Sequence, residues 1–166
     1  MKCLIFSDSH GKIEALESAL YRHPTAEVVF FLGDGIREAE AVSAKDGNRS
    51  WFFVLGNCDF KCDVLGEKIK KTDEIILFGK KIVYTHGDVY GVKLGDEGIR
   101  NLAKSREADI VLFGHTHVPE ENYVSIDGRG VYLFNPGTLS GGYNSKSTYG
   151  VLELDENTVL FSHGAV

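Results

Sequence analysis

Five short apolar runs in this chain each end beside a glycine and a side chain able to hold a metal ion. Cys3–Ser7 runs into Asp8-Ser9-His10-Gly11, and Val28–Leu32 into Gly33-Asp34-Gly35. Trp51–Leu55 is followed by Gly56-Asn57-Cys58-Asp59, Lys81–Thr85 by His86-Gly87, and Asp109–Phe113 by Gly114-His115-Thr116-His117. Apolar runs this short, bounded by turn residues, read as buried strands. In open α/β sheets the groups that do chemistry gather in the crevice at the carboxyl ends of the strands.

The segments between the runs set the architecture. Ile13, Leu16, Ala19 and Leu20 recur at helical spacing, which predicts a helix from about Lys12 to Arg22; Ile36–Ala44 predicts a second. Strand, helix, strand, helix, strand implies right-handed crossovers and a mostly parallel sheet. In the second half, Glu74–Phe78 and Lys81–Thr85 flank Gly79-Lys80 as a hairpin, and Gly95–Arg106 reads as a helix. Only strands follow Asp109–Phe113: Asn122–Ile126, Val131–Phe134, Thr148–Leu154 and Thr158–Ser162. That is enough for two sheets packed face to face with helices outside. The 166 residues contain no internal repeat or linker, so the expectation is a single domain over residues 1–166.

Charge and cysteine content narrow the function classes. A net charge of -6 without a Lys/Arg-rich block argues against a broad nucleic-acid surface. A small phosphoester remains compatible, because bound cations would dominate the local field. Three cysteines, Cys3, Cys58 and Cys62, and an immediate strand-like start fit a reducing cytoplasm. Cys58 and Cys62 lack the second half of a zinc site. No apolar run approaches the ~18 residues that would span a membrane.

The ligand set then becomes informative. Asp8 and His10, and likewise His115 and His117, are two apart, so each pair projects to one side if extended backbone continues there. A glycine–acid pair after one strand is ordinarily a turn, and a lone histidine is ordinarily structural, which is how His23 and His163 read. What these strand ends have in common is the convergence of four of the six histidines with two acids. Imidazole with carboxylate and amide oxygen suits Mn, Fe, Zn, Co or Ni better than Mg or Ca. Asp8, His10, Asp34, Asn57, His86, His115 and His117 are too many for one ion with an open position. With one bridging carboxylate they suit two ions about 3.5–4 Å apart. Asp34, alone on the central strand, is the natural bridge. A structural site would be closed, single-ion and cysteine-rich, unlike this one.

Asp8-x-His10, Gly33-Asp34, Gly56-Asn57-x-Asp59, His86 and Gly114-His115-x-His117 resemble, in order and spacing, the calcineurin-like metallophosphoesterases, over Met1 to about Val118. Asn135-Pro136-Gly137-Thr138 also resembles the Asn-Pro-Gly-Ser loop of that family's small bacterial and archaeal phosphodiesterase branch. The same branch is similar to the retromer scaffold subunit of eukaryotes, so a scaffold is a competing class. The resemblance implies a four-layer α/β/β/α sandwich of two mixed sheets flanked by helices. It implies a first ion on Asp8, His10 and His117, a second on Asn57, His86 and His115, and Asp34 bridging. It further implies a metal-bridging hydroxide attacking phosphorus, with Asn57 and His86 as the side chains that act beside it. Manganese is the first expectation for the two ions, with Ni, Zn, Fe or Co as alternatives.

One position departs from the pattern. The larger phosphatases have histidine where this chain has Cys58, and that histidine is the usual choice to protonate the leaving group. A thiol near pKa ~8.5 is a poor substitute, so the general acid is unassigned. Esters with good leaving groups should react best, and diesters are expected ahead of monoesters. Tyr90, Tyr143 and Asn144 are candidates to line the pocket, although packing or loop order explains each as well. Lys12 could steer an anion, and exposed edge strands would permit a homo-oligomer.

Overall fold

The computed structural model describes residues 1–60, 63–64, 67–141 and 146–166. The apolar runs become strands whose side chains alternate between two faces, and both faces are covered. The strands are β1 (Lys2–Phe6), β2 (Val28–Phe31), β3 (Ser50–Phe53), β4 (Asp63–Val64), β5 (Glu67–Lys68), β6 (Thr72–Leu77), β7 (Lys80–Thr85), β8 (Ile110–Leu112), β9 (Pro119–Ile126), β10 (Arg129–Pro136), β11 (Thr148–Leu154) and β12 (Val159–Ala165). The helices are α1 (Ile13–Arg22), α2 (Ile36–Ser43) and α3 (Glu97–Arg106).

One sheet has the order β12-β11-β1-β2-β3, the other β6-β7-β8-β10-β9; β4 and β5 form a small separate ribbon. Strands β1, β2 and β3 run parallel, as do β7, β8 and β10. The mostly parallel sheet expected from the first half is corrected to a mixed one. β11 pairs antiparallel with the outer edge of β1, and β12 with β11. The second sheet is mixed too, with β6 and β9 antiparallel at its edges. The hairpin turn sits at Phe78-Gly79, not Gly79-Lys80. Leu77 pairs with Lys80, and both turn residues have the positive φ that a two-residue hairpin demands.

The alternation along each strand produces four layers. Leu4, Phe6, Val29 and Phe31 face α1 and α2, meeting Leu16, Ala19, Ile36 and Ala39. Their neighbours Cys3, Ile5, Phe30 and Leu32 point between the sheets against Ile82, Tyr84, Ile110, Leu112 and Phe134. On the far side Val83, Val111 and Leu133 pack under Ile99, Leu102 and Ala103 of α3. Full burial of such side chains is worth roughly 1.5–3 kcal/mol each, which holds the six parallel strands in one frame. Their carboxyl ends consequently meet at one end of the sandwich. No helix among the described residues is long and apolar enough to cross a membrane.

Candidate metal centre

All seven residues read as ligands meet in that crevice. His86 Nε2 lies 3.4 Å from Asp34 Oδ2 and 3.9 Å from Asp8 Oδ1. The same atom is 3.2 Å from Asn57 Oδ1 and 3.1 Å from His115 Nδ1. On the other side His117 Nε2 is 3.0 Å from Asp8 Oδ1. His10 Nε2 stands 3.8 Å from Asp8 Oδ1 and 4.0 Å from Asp34 Oδ2.

The backbone reaches this arrangement differently from expectation. Asp8, His10, Asp34, His115 and His117 have φ of 57°, 43°, 56°, 67° and 62°. Extended chain therefore does not continue past the strands; each of these residues curls into the left-handed region. Asp and His tolerate that region better than most side chains, yet each such residue still costs on the order of 1–3 kcal/mol. Cross-strand hydrogen bonds hold the curls. The Asp8 N–H donates to Gly33 O at 3.0 Å and that of His10 to Asp34 O at 3.2 Å. Ser140 N–H (3.0 Å) and the Thr138 hydroxyl (2.9 Å) both donate to Asp8 O, so the turn from Thr138 to Ser140, which follows Asn135-Pro136-Gly137, buttresses the first curl.

Glycine is needed at two places for proximity. A Cβ on Gly56 would strike the Asp34 carboxylate and backbone, and one on Gly114 would strike Ser7 and the Asp8 carboxylate. These two glycines let neighbouring loops close over the two acids.

Each buried acid is held by its outward oxygen and presents the other. Asp8 Oδ2 accepts from the Ser7 hydroxyl and from the His115 N–H at 3.1 Å. Asp34 Oδ1 accepts the Cys58 N–H at 2.7 Å. The buried His86 ring is fixed by Nδ1 against Leu32 O at 2.7 Å, the backbone partner that commonly orients a ligating histidine. With Nδ1–H donating there, a neutral His86 directs a bare Nε2 at other acceptors. Acceptors facing acceptors at this range repel unless a proton or cation lies between them. Burial lowers the His86 pKa, but the Asp34 hydrogen bond and the Asp8 and Asp34 charges more than reverse it. Asp34 mirrors this: burial raises its pKa, and His86 with the Cys58 N–H brings it well below the carboxylate range. His115 is lowered, by burial first and then by the charge of His86. The donor set thus fits divalent metal. Asp8, His10 and His117 form one converging group, Asp34, His86 and His115 another, and His10, Asp34 and Cys58 a third.

Asp59 had no role in the sequence reading, and it organises the site from behind. Its carboxylate accepts N–H bonds from Asp34 (2.7 Å), Gly35 (2.9 Å), Ile36 (3.1 Å) and Gly56 (2.9 Å). Helix α2 begins at Gly35 without a side-chain cap of its own, so an acid from a different loop satisfies its first donors. An uncapped helix start beside a motif acid was the available signal. Lys71 was also missed; its ammonium joins Gly56 O (2.8 Å) to the Asp88 carboxylate (3.1 Å), tying the Asn57 loop to the His86 loop.

Other candidates fall outside the cluster. Tyr90 gives its hydroxyl to a 3.0 Å hydrogen bond with Thr72 and packs against the α3 layer. His23 bonds the Tyr149 hydroxyl, and His163 stacks on Phe134 and bonds Asn135 O; both are structural. Lys12 is exposed and makes no ion pair among the described residues. Cys3 is buried, its thiol pushed up to about 12 by burial, whereas Cys58 is exposed beside Asp34. Cys62, Tyr143 and Asn144 lie outside the described residues.

Comparison with known proteins decides the family. The calcineurin-like phosphoesterase superfamily domain matches residues 1–157. A probable metallophosphoesterase of Bacillus subtilis, YsnB, is 32% identical, over 97% of this chain and 90% of its own length. The chain belongs to the calcineurin-like phosphoesterase superfamily. Within it, the phosphodiesterase YfcE of Escherichia coli K12 is 26% identical, over 96% of this chain and 91% of that protein. Among solved structures, wild-type Vps29 of Entamoeba histolytica complexed with zinc superposes with a TM-score of 0.75. It covers 99% of both chains at 19% identity, a likeness of fold alone. The superfamily is metal-dependent, and the four-layer architecture expected of it is the one this chain adopts.

Proposed function

We propose that the chain hydrolyses phosphate diesters using two divalent metal ions. The observation that carries this is the pair of converging donor groups, Asp8-His10-His117 and Asp34-His86-His115, joined where His10 meets Asp34. Asp8, His10 and His117 would hold one ion, Asn57, His86 and His115 the other, and Asp34 would serve both. When bound, such ions supply Lewis acidity and lower the pKa of a coordinated water from 15.7 towards roughly 7. The protein's own part is positioning. Leu32 O aims His86, Ser7 and the His115 N–H aim Asp8, and the Asn57 amide stands at the open side, where a phosphoryl oxygen can meet it. Cys58 occupies the position of the missing acid, which favours esters that leave without protonation. YfcE, named a phosphodiesterase, supports the same preference.

The test is to strip the metal and add back Mn, Ni, Zn and Mg separately, assaying aryl mono- and diesters. Manganese is expected to restore the most turnover, with bis(p-nitrophenyl) phosphate well ahead of p-nitrophenyl phosphate. Equal rates on the two would overturn the diester preference, and p-nitrophenyl phosphate ahead would make the chain a phosphomonoesterase instead. Silence across the panel would favour the scaffold reading, which the fold shared with Vps29 keeps in play. Asp34→Asn is expected to drop turnover below detection and reduce metal occupancy together; full activity in that variant would end the two-ion scheme.

A further inference from the structure

Next to the ligand cluster, on the side of His10, Asp34 and Cys58, a cleft of about 240 Å³ opens between the start of α2 and the loop after β3. Arg37 and Glu38, from the first turn of α2, and Phe60, from the loop, form its walls. None of the three contributes to the folded core. Phe60 is 82% exposed, a whole aromatic ring left in water next to Asp59. Arg37 is exposed and has neither an ion pair nor a side-chain hydrogen bond among the described residues. By contrast Arg49, Arg100, Arg106 and Arg129 are all paired. The Arg37 guanidinium and the Glu38 carboxylate, both without an ion pair or side-chain hydrogen bond among the described residues, and the exposed Phe60 ring therefore line one space that continues into the candidate metal centre.

We propose that this cleft binds one ester arm of the substrate, and that the arm is a nucleoside; the proposal rests on the hydrolase reading above. Phe60 offers a stacking face that any base can use. Glu38 only accepts hydrogen bonds, so it suits sugar hydroxyls and repels a second phosphate. Arg37 presents a fork of donors to the oxygens of the phosphate held at the metals. The cleft is smaller than the roughly 300 Å³ at the low end of small-molecule sites, so it holds one ring-bearing arm and not an oligonucleotide. The chain's negative net charge points the same way, against a polyanion.

The experiment is calorimetric titration of the manganese-loaded protein with AMP, ribose 5-phosphate and inorganic phosphate, with diester turnover read in parallel. AMP is expected to bind about tenfold tighter than ribose 5-phosphate, the scale of one base stacked on an aromatic ring. Phe60→Ala should erase that advantage and leave phosphate affinity alone, while Phe60→Tyr restores it. The ring is exposed, so its truncation leaves the fold intact. Arg37→Gln should weaken all three ligands alike. Equal affinity for AMP and ribose 5-phosphate, or an unchanged ratio in Phe60→Ala, overturns the proposal. An AMP preference without diester turnover removes the hydrolase reading and keeps the cleft as a nucleoside phosphate site; turnover without the preference does the reverse.

Discussion

On the floor of the site Asp8, Asp34 and His86 are between 0 and 3% exposed, and each has an outward atom tied to backbone or to a neighbouring side chain. At the rim the His10 and His117 side chains are 34 and 41% exposed. Their outward nitrogens have no hydrogen-bond partner among the described residues; His117 Nε2 bonds Asp8 Oδ1 at 3.0 Å, and the two rings lie side by side with centroids 5.4 Å apart. The floor is therefore fixed by more protein contacts than the rim, where only the inward nitrogen of His117 is hydrogen-bonded among the described residues. Floor and rim ligands should accordingly fail in different ways. Damage under the floor should appear in the metal-free fold, and damage at the rim only in metal affinity and turnover.

The largest effect on the metal-free protein is expected from Gly56→Ala. The new methyl has no space beside Asp34, and overpacking of this kind costs roughly 1–3 kcal/mol. Chemical denaturation without metal measures it, and turnover should fall with it because the Asp34 carboxylate must move. An unchanged midpoint would mean that the floor is as yielding as the rim.

The floor was also the part most visible in the sequence. Asp8, Asp34 and His86 each end an apolar run, and the change from apolar side chains to a glycine-flanked polar one marks both the strand and the site. Period-two burial was equally legible, since Leu4, Phe6 and Cys3, Ile5 can alternate only if both sheet faces are covered. Pairing of β11 with β1 was not legible. It joins residues such as Cys3 and Leu152, and no local pattern reports so distant an antiparallel contact. The left-handed curls at Asp8 and His10 escaped for a related reason: their hydrogen bonds go to Gly33, Asp34 and Thr138, so the conformation is imposed from elsewhere. Arg37 and Phe60 follow no motif at all, and only their shared cleft marks them.

A smaller effect is expected from Asp59→Asn, which lies under the floor without being a ligand candidate. One charged carboxylate now receives four N–H bonds, and an amide offers a single uncharged acceptor. Hydrogen bonds to charged groups contribute on the order of 1.5–3 kcal/mol, and the amide keeps part of that, so a loss of about 1–2 kcal/mol is expected. Metal affinity should weaken by roughly 10–100-fold, as it does when the partners behind a ligand are removed. Loss of affinity with an unmoved denaturation midpoint would place Asp59 at the rim in energetic terms.

The smallest effect on the fold should come from His10→Ala, and this variant divides the two regions most cleanly. The His10 side chain makes no hydrogen bond among the described residues and is partly solvated, so the metal-free midpoint should move by no more than about 0.5 kcal/mol. Its Nε2 nonetheless lies within 4.0 Å of both acids, which no other rim imidazole among the described residues does, next to Asp8 Oδ1 and Asp34 Oδ2. Removing it should therefore lower manganese affinity and diester turnover while leaving the apo protein's denaturation curve in place. A curve shifted as far as that of Gly56→Ala would show that the His10 curl is part of the folded frame. The left-handed backbone at His10, rather than its ring, would then be what the rim contributes to the site.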